Sequence, residues 1–251
     1  MIDIQVWKGF EKEYKAAMSQ MVVVTGAAGA LGSAVSRELV SRGYNVAGVD
    51  SARAESRLNA LQAEVGRAFW AVVADLGTME GWKSVFERVQ GGGEIVGAVL
   101  TVGGWVGGAP LTSEAEGTFE KMVSSNLTTV HLALRSLLPG MVERKQGSIV
   151  VVGSRAAPRP WTSAGAASYA ASKAGAVALG EAAAAEVLES GVRINSILPS
   201  TMDTPANRAA MPDADPTRWV STTSAAKVIA FLLSDDASAI SGAQIPVYGR
   251  A

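Results

Sequence analysis

Cysteine is absent from the 251-residue sequence, and histidine occurs once, at His131. The first absence excludes disulfides, thiolate nucleophiles and cysteine-based metal sites. The second removes the basis for a Ser-His-Asp triad or a His-rich zinc site, so no metal centre is expected. Acid–base chemistry near neutral pH is left to Tyr, Lys and the carboxylates. An excess of charge is missing as well, since 22 basic residues face 23 acidic ones for a net charge of −1. That balance gives no electrostatic footprint for nucleic acid or an anionic membrane, and a small-molecule partner fits better. Long hydrophobic runs are lacking too, as no stretch reaches the roughly 20 apolar residues that span a bilayer. Asp3, Lys8, Glu11, Lys12, Glu13 and Lys15 interrupt the N-terminus, so it has no signal-peptide core. The expectation is a soluble, cytoplasmic protein.

What is present is the composition of a packed α/β protein, with 48% hydrophobic residues and 27 glycines. Short apolar runs alternate with segments of helical period, the pattern of repeated βαβ units. Strands are expected at Met21 to Thr25, Asn45 to Val49, Ala68 to Val73, Ile95 to Thr101, Ser148 to Val152, Arg193 to Leu198 and Gln244 to Val247. Several are rich in Val and Ile throughout, as strands buried on both faces should be. Helices are expected at Leu31 to Arg42, Met79 to Gln90, Glu116 to Leu138, Tyr169 to Ser190 and Ser224 to Leu233, with Gly43 and Gly191 as stops. The fold class is therefore α/β: a single doubly wound parallel sheet of about seven strands with helices on both faces. Residues 1–20 stand outside this rhythm as an N-terminal extension, expected to be an amphipathic helix from Val6 through Met18 used for surface or subunit packing. Residues 21–251 form one domain. Within it Thr201 to Trp219, rich in Pro, Asp and Ala, is long for a connection and reads as a loop covering substrate.

The first strand runs into Thr25-Gly26-Ala27-Ala28-Gly29-Ala30-Leu31-Gly32 and then a helix, the context in which a glycine-rich motif signals a dinucleotide site of Rossmann type. Gly26 permits the tight turn, Gly29 lets the backbone approach a pyrophosphate, and Gly32 allows close helix–sheet packing. Ala28, Ala30 and Leu31 complete the turn at the positive end of the helix dipole. Asp50 closes the second strand, where a carboxylate accepts hydrogen bonds from the adenosine ribose and repels a 2′-phosphate; NAD is favoured over NADP, with Arg53 a partial offset. Asp75 and Leu76 end the third strand, where they can meet the adenine ring.

Tyr169-Ala170-Ala171-Ser172-Lys173 carries the catalytic signal, because an i, i+4 spacing sets phenol and ammonium on one helix face. A free tyrosine has a pKa of about 10, and a neighbouring cation favours the phenolate. The pair opens a helix that follows Gly153-Ser154 at a carboxyl strand edge, where doubly wound sheets bind ligands. Ser154 there can hydrogen-bond a substrate oxygen, with Ser163 and Ser168 as nearby competitors.

With these motifs the chain resembles the short-chain dehydrogenase/reductase family over nearly all of residues 21–251. The resemblance implies that Tyr169 is the general acid/base, that Lys173 binds the nicotinamide ribose and tunes Tyr169, that Ser154 positions substrate, and that Asn126 completes a proton relay. It also implies that Val102, Gly103 and the stretch Leu198-Pro199-Ser200-Thr201-Met202-Asp203-Thr204 lie beside the nicotinamide, with Pro199, the Met202 backbone and the Thr204 side chain as contacts. Three departures stand out. The glycine spacing is TGxxGxxG rather than TGxxxGxG; Thr101-Val102-Gly103-Gly104 replaces Asn-Asn-Ala-Gly and removes a side chain that braces the sheet; and Ser154 lies about two residues farther from Tyr169 than usual, so the loop with Pro158, Pro160 and Trp161 is longer.

The expected activity is NAD(P)(H)-dependent hydride transfer to or from a small carbonyl/alcohol substrate. One alternative is reduction of a quinonoid pterin, because Gly103-Gly104-Trp105-Val106-Gly107-Gly108 and the residues from Leu198 to Arg208 are similar to stretches of dihydropteridine reductases. Others are a dinucleotide-binding sensor without chemistry and a family member performing elimination or dehalogenation. The family also implies a homodimer or homotetramer, with the helices beginning near Glu116 and Tyr169 packed between subunits. Trp105 is expected to form a pocket wall or to pack, His131 to be a helix-face imidazole, and Asp213 and Asp215 to solvate their loop.

Overall fold

A computed structural model describes residues 20–250. The N-terminal helix expected from Val6 through Met18 lies outside the described residues. Seven strands form one parallel sheet: β1 Gln20–Thr25, β2 Asn45–Asp50, β3 Phe69–Val73, β4 Glu94–Leu100, β5 Gly147–Val152, β6 Val192–Pro199 and β9 Gln244–Val247. Their order across the sheet is β3-β2-β1-β4-β5-β6-β9. Between β1 and β4 the order reverses, and a reversal of this kind opens a crevice at the carboxyl ends of the strands. Strands β1 and β5 are buried along nearly their whole length, which accounts for their unbroken Val/Ile runs.

The helices cover both faces. On one face α1 (Ala30–Ser41), α2 (Glu55–Val65) and α8 (Thr222–Leu233) close a core around Val22, Val24, Leu39, Val150 and Ile229. On the other, α3 (Met79–Val89), α5 (Thr129–Arg144) and α6 (Ala167–Glu186) enclose Met21, Val23, Trp82, Leu134, Ile149 and Ile194. Helix α2 escapes the periodicity reading because it fully buries only Leu58 and Leu61 and presents most of its length to solvent.

The long helix expected from Glu116 to Leu138 divides. It comprises α4 (Thr118–Val123), a π-helical turn at Ser124–Thr128, and α5, which runs through Pro139 to Arg144 rather than stopping at Leu138. The ring is tolerated because Pro139 and Arg135, whose carbonyl it leaves unbonded, both lie on the exposed face, where water can serve that group. The segment Thr201 to Trp219 is also more ordered than a loop. It holds β7 (Met202–Asp203) and α7 (Pro205–Ala210), and β7 pairs in parallel with β8 (Val220–Ser221). No helix among the described residues is long and apolar enough to cross a membrane.

Candidate active site

The glycine turn is shaped for close approach. Gly26 has φ +65°, in the left-handed region that glycine tolerates without strain. A Cβ on Gly32 would overlap Gly26 O and stand 2.8 Å from Ala27 Cα, so the start of α1 seats on the turn only without a side chain there. Gly29 is the N-cap of α1; it supplies no side chain, and the first turn holds no acidic residue. The leading amides of α1 are thus left to an external acceptor at the positive end of the helix. At the tip of β2 the two Asp50 carboxylate oxygens accept from Ala28 N at 3.0 Å and from Ser51 N at 2.8 Å. Each keeps a lone pair free. An uncapped, anion-seeking turn ending at a fixed carboxylate fits a dinucleotide, with pyrophosphate at Gly29, Ala30 and Leu31 and a ribose diol at Asp50. At the tip of β3 the Asp75 carboxylate accepts from Gly77 N at 2.9 Å, while the Leu76 side chain is buried in the core.

The brace at the ends of β1 and β4, expected to be missing, is built from two threonines. Thr101 N donates to Thr25 Oγ1 at 3.0 Å, and Thr101 Oγ1 donates to Thr25 O at 2.5 Å. Two threonine hydroxyls thus tie the end of β1 to the residue that follows β4.

Asn126 sits on the π-helical turn and is fully buried. Its Oδ1 accepts from Gly104 N at 2.9 Å, and its Nδ2 donates to Gly104 O at 3.1 Å and to Ser172 Oγ at 3.0 Å. Ser172 Oγ in turn donates to Tyr169 O at 2.8 Å. One buried amide therefore ties the loop after β4 to the helix that carries Tyr169 and Lys173. Gly103 lies against the same cluster: a Cβ there would stand 2.5 Å from Asn126 Oδ1 and 3.1 Å from Lys173 Nζ. Periodicity points to neither the wide turn nor the role of Ser172, although an i, i−3 hydroxyl-to-carbonyl bond is a known habit of helical serines.

Lys173 is 7% exposed, and its Nζ donates to Val152 O at 2.9 Å, at the end of β5. Burial lowers its pKa from 10.5 to about 8. Burial raises the pKa of the Tyr169 phenol, and a hydrogen bond with the Ser154 side chain works against that rise. Burial thus sets the direction for Tyr169, and the Lys173 ammonium is held by the β5 carbonyl. Ser154 Oγ also accepts from Ala156 N at 3.1 Å, which fixes its rotamer. Of the competing serines, Ser168 is committed to Glu114 Oε2 at 2.6 Å.

The structure thus brings Tyr169, Ser154, Lys173, Asn126 and Gly103 to one rim, with Val102 hydrogen-bonded through its N to Thr25 Oγ1 at 3.4 Å. The expected contact groups at the end of β6 and beyond it are held in bonds within the protein. Thr204 Oγ1 caps α7 by accepting from Asn207 N at 3.2 Å, Met202 O accepts from Asn207 Nδ2 at 2.8 Å, and Pro199 O accepts from Arg155 N at 2.9 Å. Trp105 and Trp161 are 64% and 95% exposed, so neither indole packs in the core. His131 is exposed on α5.

Residues 20–215 match the family model described as short chain dehydrogenase. The chain is 36% identical over 190 residues to 2,3-dihydro-2,3-dihydroxybenzoate dehydrogenase of Bacillus subtilis, covering 74% of this chain and 70% of that protein. Among solved structures, levodione reductase superposes with a TM-score of 0.84 at 29% identity, covering 92% of this chain and 96% of that one. The NAD+-bound xylitol dehydrogenase superposes with a TM-score of 0.83 at 25% identity, covering 92% and 98% respectively.

Proposed function

Because the chain belongs to the short-chain dehydrogenase/reductase family of oxidoreductases, we propose that it reduces a small carbonyl compound, or oxidises the matching alcohol, with Tyr169 as the proton-transfer residue. The observation that carries the reading is the placement of the buried Tyr169 phenol against the Ser154 side chain, beside a buried lysine one helical turn away. A nicotinamide dinucleotide, when bound, supplies or accepts the hydride. NAD is preferred over NADP, since the Asp50 carboxylate at the end of β2 repels a 2′-phosphate; the xylitol dehydrogenase structure was solved with NAD+. The residues that would hold the cofactor are Gly26, Ala28, Gly29, Ala30, Leu31, Asp50, Asp75, Leu76, Val102, Gly103, Lys173, Pro199, Met202 and Thr204.

In the reductive direction Ser154 Oγ donates to the carbonyl oxygen and Tyr169 Oη delivers the proton to it. Burial keeps the phenol protonated near neutrality, the form an acid needs. In the oxidative direction the phenolate must form, and Lys173 Nζ stabilises it by electrostatics while binding the nicotinamide ribose. Asn126 acts through Gly104 and Ser172 by fixing the loop against the catalytic helix, and its backbone belongs to the relay that returns protons to Lys173. The Thr201 to Trp219 segment, organised by α7 and the β7/β8 pair, forms the cover over the substrate. Assembly as a homodimer or homotetramer in the cytoplasm completes the proposal.

Tyr169→Phe tests it. Reduction of ketones with NADH, followed by loss of NADH absorbance, is expected to fall by more than about a thousandfold while NADH binding stays near that of the wild type. Undiminished turnover in the variant would refute the assignment of Tyr169.

A further inference from the structure

Resting on the oxidoreductase reading, we propose that the substrate carries a compact anionic oxyacid group, a carboxylate or a phosphate ester, and that Arg155 and Arg159 grip it. Arg155 directly follows Ser154, and Arg159 lies farther along the loop that leads to Tyr169. Both guanidiniums converge on the ring of Tyr248, at 5.9 Å and 5.5 Å from its centroid. Tyr248 comes from the segment just after β9 and is held there through its carbonyl, which accepts from Ser200 Oγ at 2.7 Å. The backbone of Arg155 is pinned as well, by its bond to Pro199 O at 2.9 Å. The two cations therefore occupy the rim where β5, β6 and β9 end, the same rim that presents Ser154.

Neither guanidinium meets a carboxylate or a carbonyl among the described residues. Two of the three carboxylates in the adjoining segment are spent elsewhere: Asp203 is held by Arg208 at 2.6 Å and 2.8 Å, and Asp215 turns back onto Thr217 at 2.7 Å. Two like charges sharing one aromatic ring repel each other, and the ring face offsets this only in part. An oxyanion placed between them relieves the repulsion and satisfies two planar donor forks at once.

The test uses the NADH-loaded protein and three probes with one reactive ketone: 4-oxocyclohexanecarboxylate, its methyl ester and 4-oxocyclohexyl phosphate. Binding is followed by NADH fluorescence and turnover by NADH absorbance. At least one anion is expected to bind about tenfold or more tighter than the ester, a preference that shrinks as salt is raised. The anion that gains more identifies the group. In Arg155→Gln/Arg159→Gln the preference is expected to vanish, and in Arg155→Lys/Arg159→Lys to persist in part. Equal binding of ester and both anions, or a preference unchanged in the glutamine variant, would overturn the proposal. If the ester is reduced without any anion preference, this inference fails and the oxidoreductase reading stands. If the anions are preferred yet no probe is reduced, the anion site stands and the result counts against that reading.

Discussion

Replacing Lys173 with Met removes a charge held in the interior while keeping an unbranched chain of similar size. In the folded protein the ammonium titrates at about 8 rather than 10.5, because burial disfavours the charged form. Below about pH 8 folded and unfolded chains both carry the proton, so the folded state bears the full cost of the buried charge. Between about 8 and 10.5 the unfolded chain still binds the proton and the folded chain does not, so the stability of the wild type rises with pH across this window relative to a variant lacking the group. At about 1.4 kcal/mol per pH unit, the wild type gains about 2 kcal/mol over Lys173→Met between about pH 7 and pH 9.5. For a domain of this size that is a relative shift of about 4–8 °C in Tm. Thermal unfolding of both proteins without cofactor, followed by circular dichroism at several pH values, measures the difference directly. A difference that stays flat from neutral pH to about 9.5, or that moves against the wild type, would refute the buried-cation reasoning.

Three further substitutions bear on separate parts of the site. Gly32→Ala places a methyl group against Gly26 O and Ala27 Cα, so it should cost about 1–3 kcal/mol in denaturant unfolding and weaken NADH binding; wild-type behaviour would mean that the turn is not the cofactor cradle. Asn126→Ala leaves Gly104 N and O without their partner and frees Ser172, so stability should drop by about 1–3 kcal/mol and kcat at least about tenfold, with NADH affinity much less affected. Asp50→Ser removes the charge at the tip of β2, and the ratio of kcat/KM for NADPH over NADH should rise about tenfold or more; an unchanged ratio would show that Asp50 does not read the ribose.

Much of the fold was legible along the chain because burial on two faces leaves a one-dimensional trace. The Val/Ile runs of β1 and β5 read as interior parallel strands, and the observed strands lie within a residue or so of the expected ones. Helix α2 left no such trace, since Leu58 and Leu61 are its only fully buried residues and most of its length faces solvent. The end of the helix expected at Leu138 is another such case: Pro139 is tolerated inside a helix on its solvent-facing side, and exposure is not written in the sequence.

The same division holds at the site. Sequence alone determined the glycine turn, Asp50 at a strand end, and Tyr169 with Lys173 on one helix face, because each follows from local spacing within a single strand–turn–helix unit. The tertiary structure decided what those groups touch. It gave the lysine to Val152 O, made Thr25 and Thr101 the brace between β1 and β4, widened the helix at Asn126 so that one amide joins two segments, and drew Arg155 and Arg159 onto Tyr248. Those contacts join residues tens of positions apart. They depend on how β-strand ends and loops meet in space, which no periodicity within one element encodes.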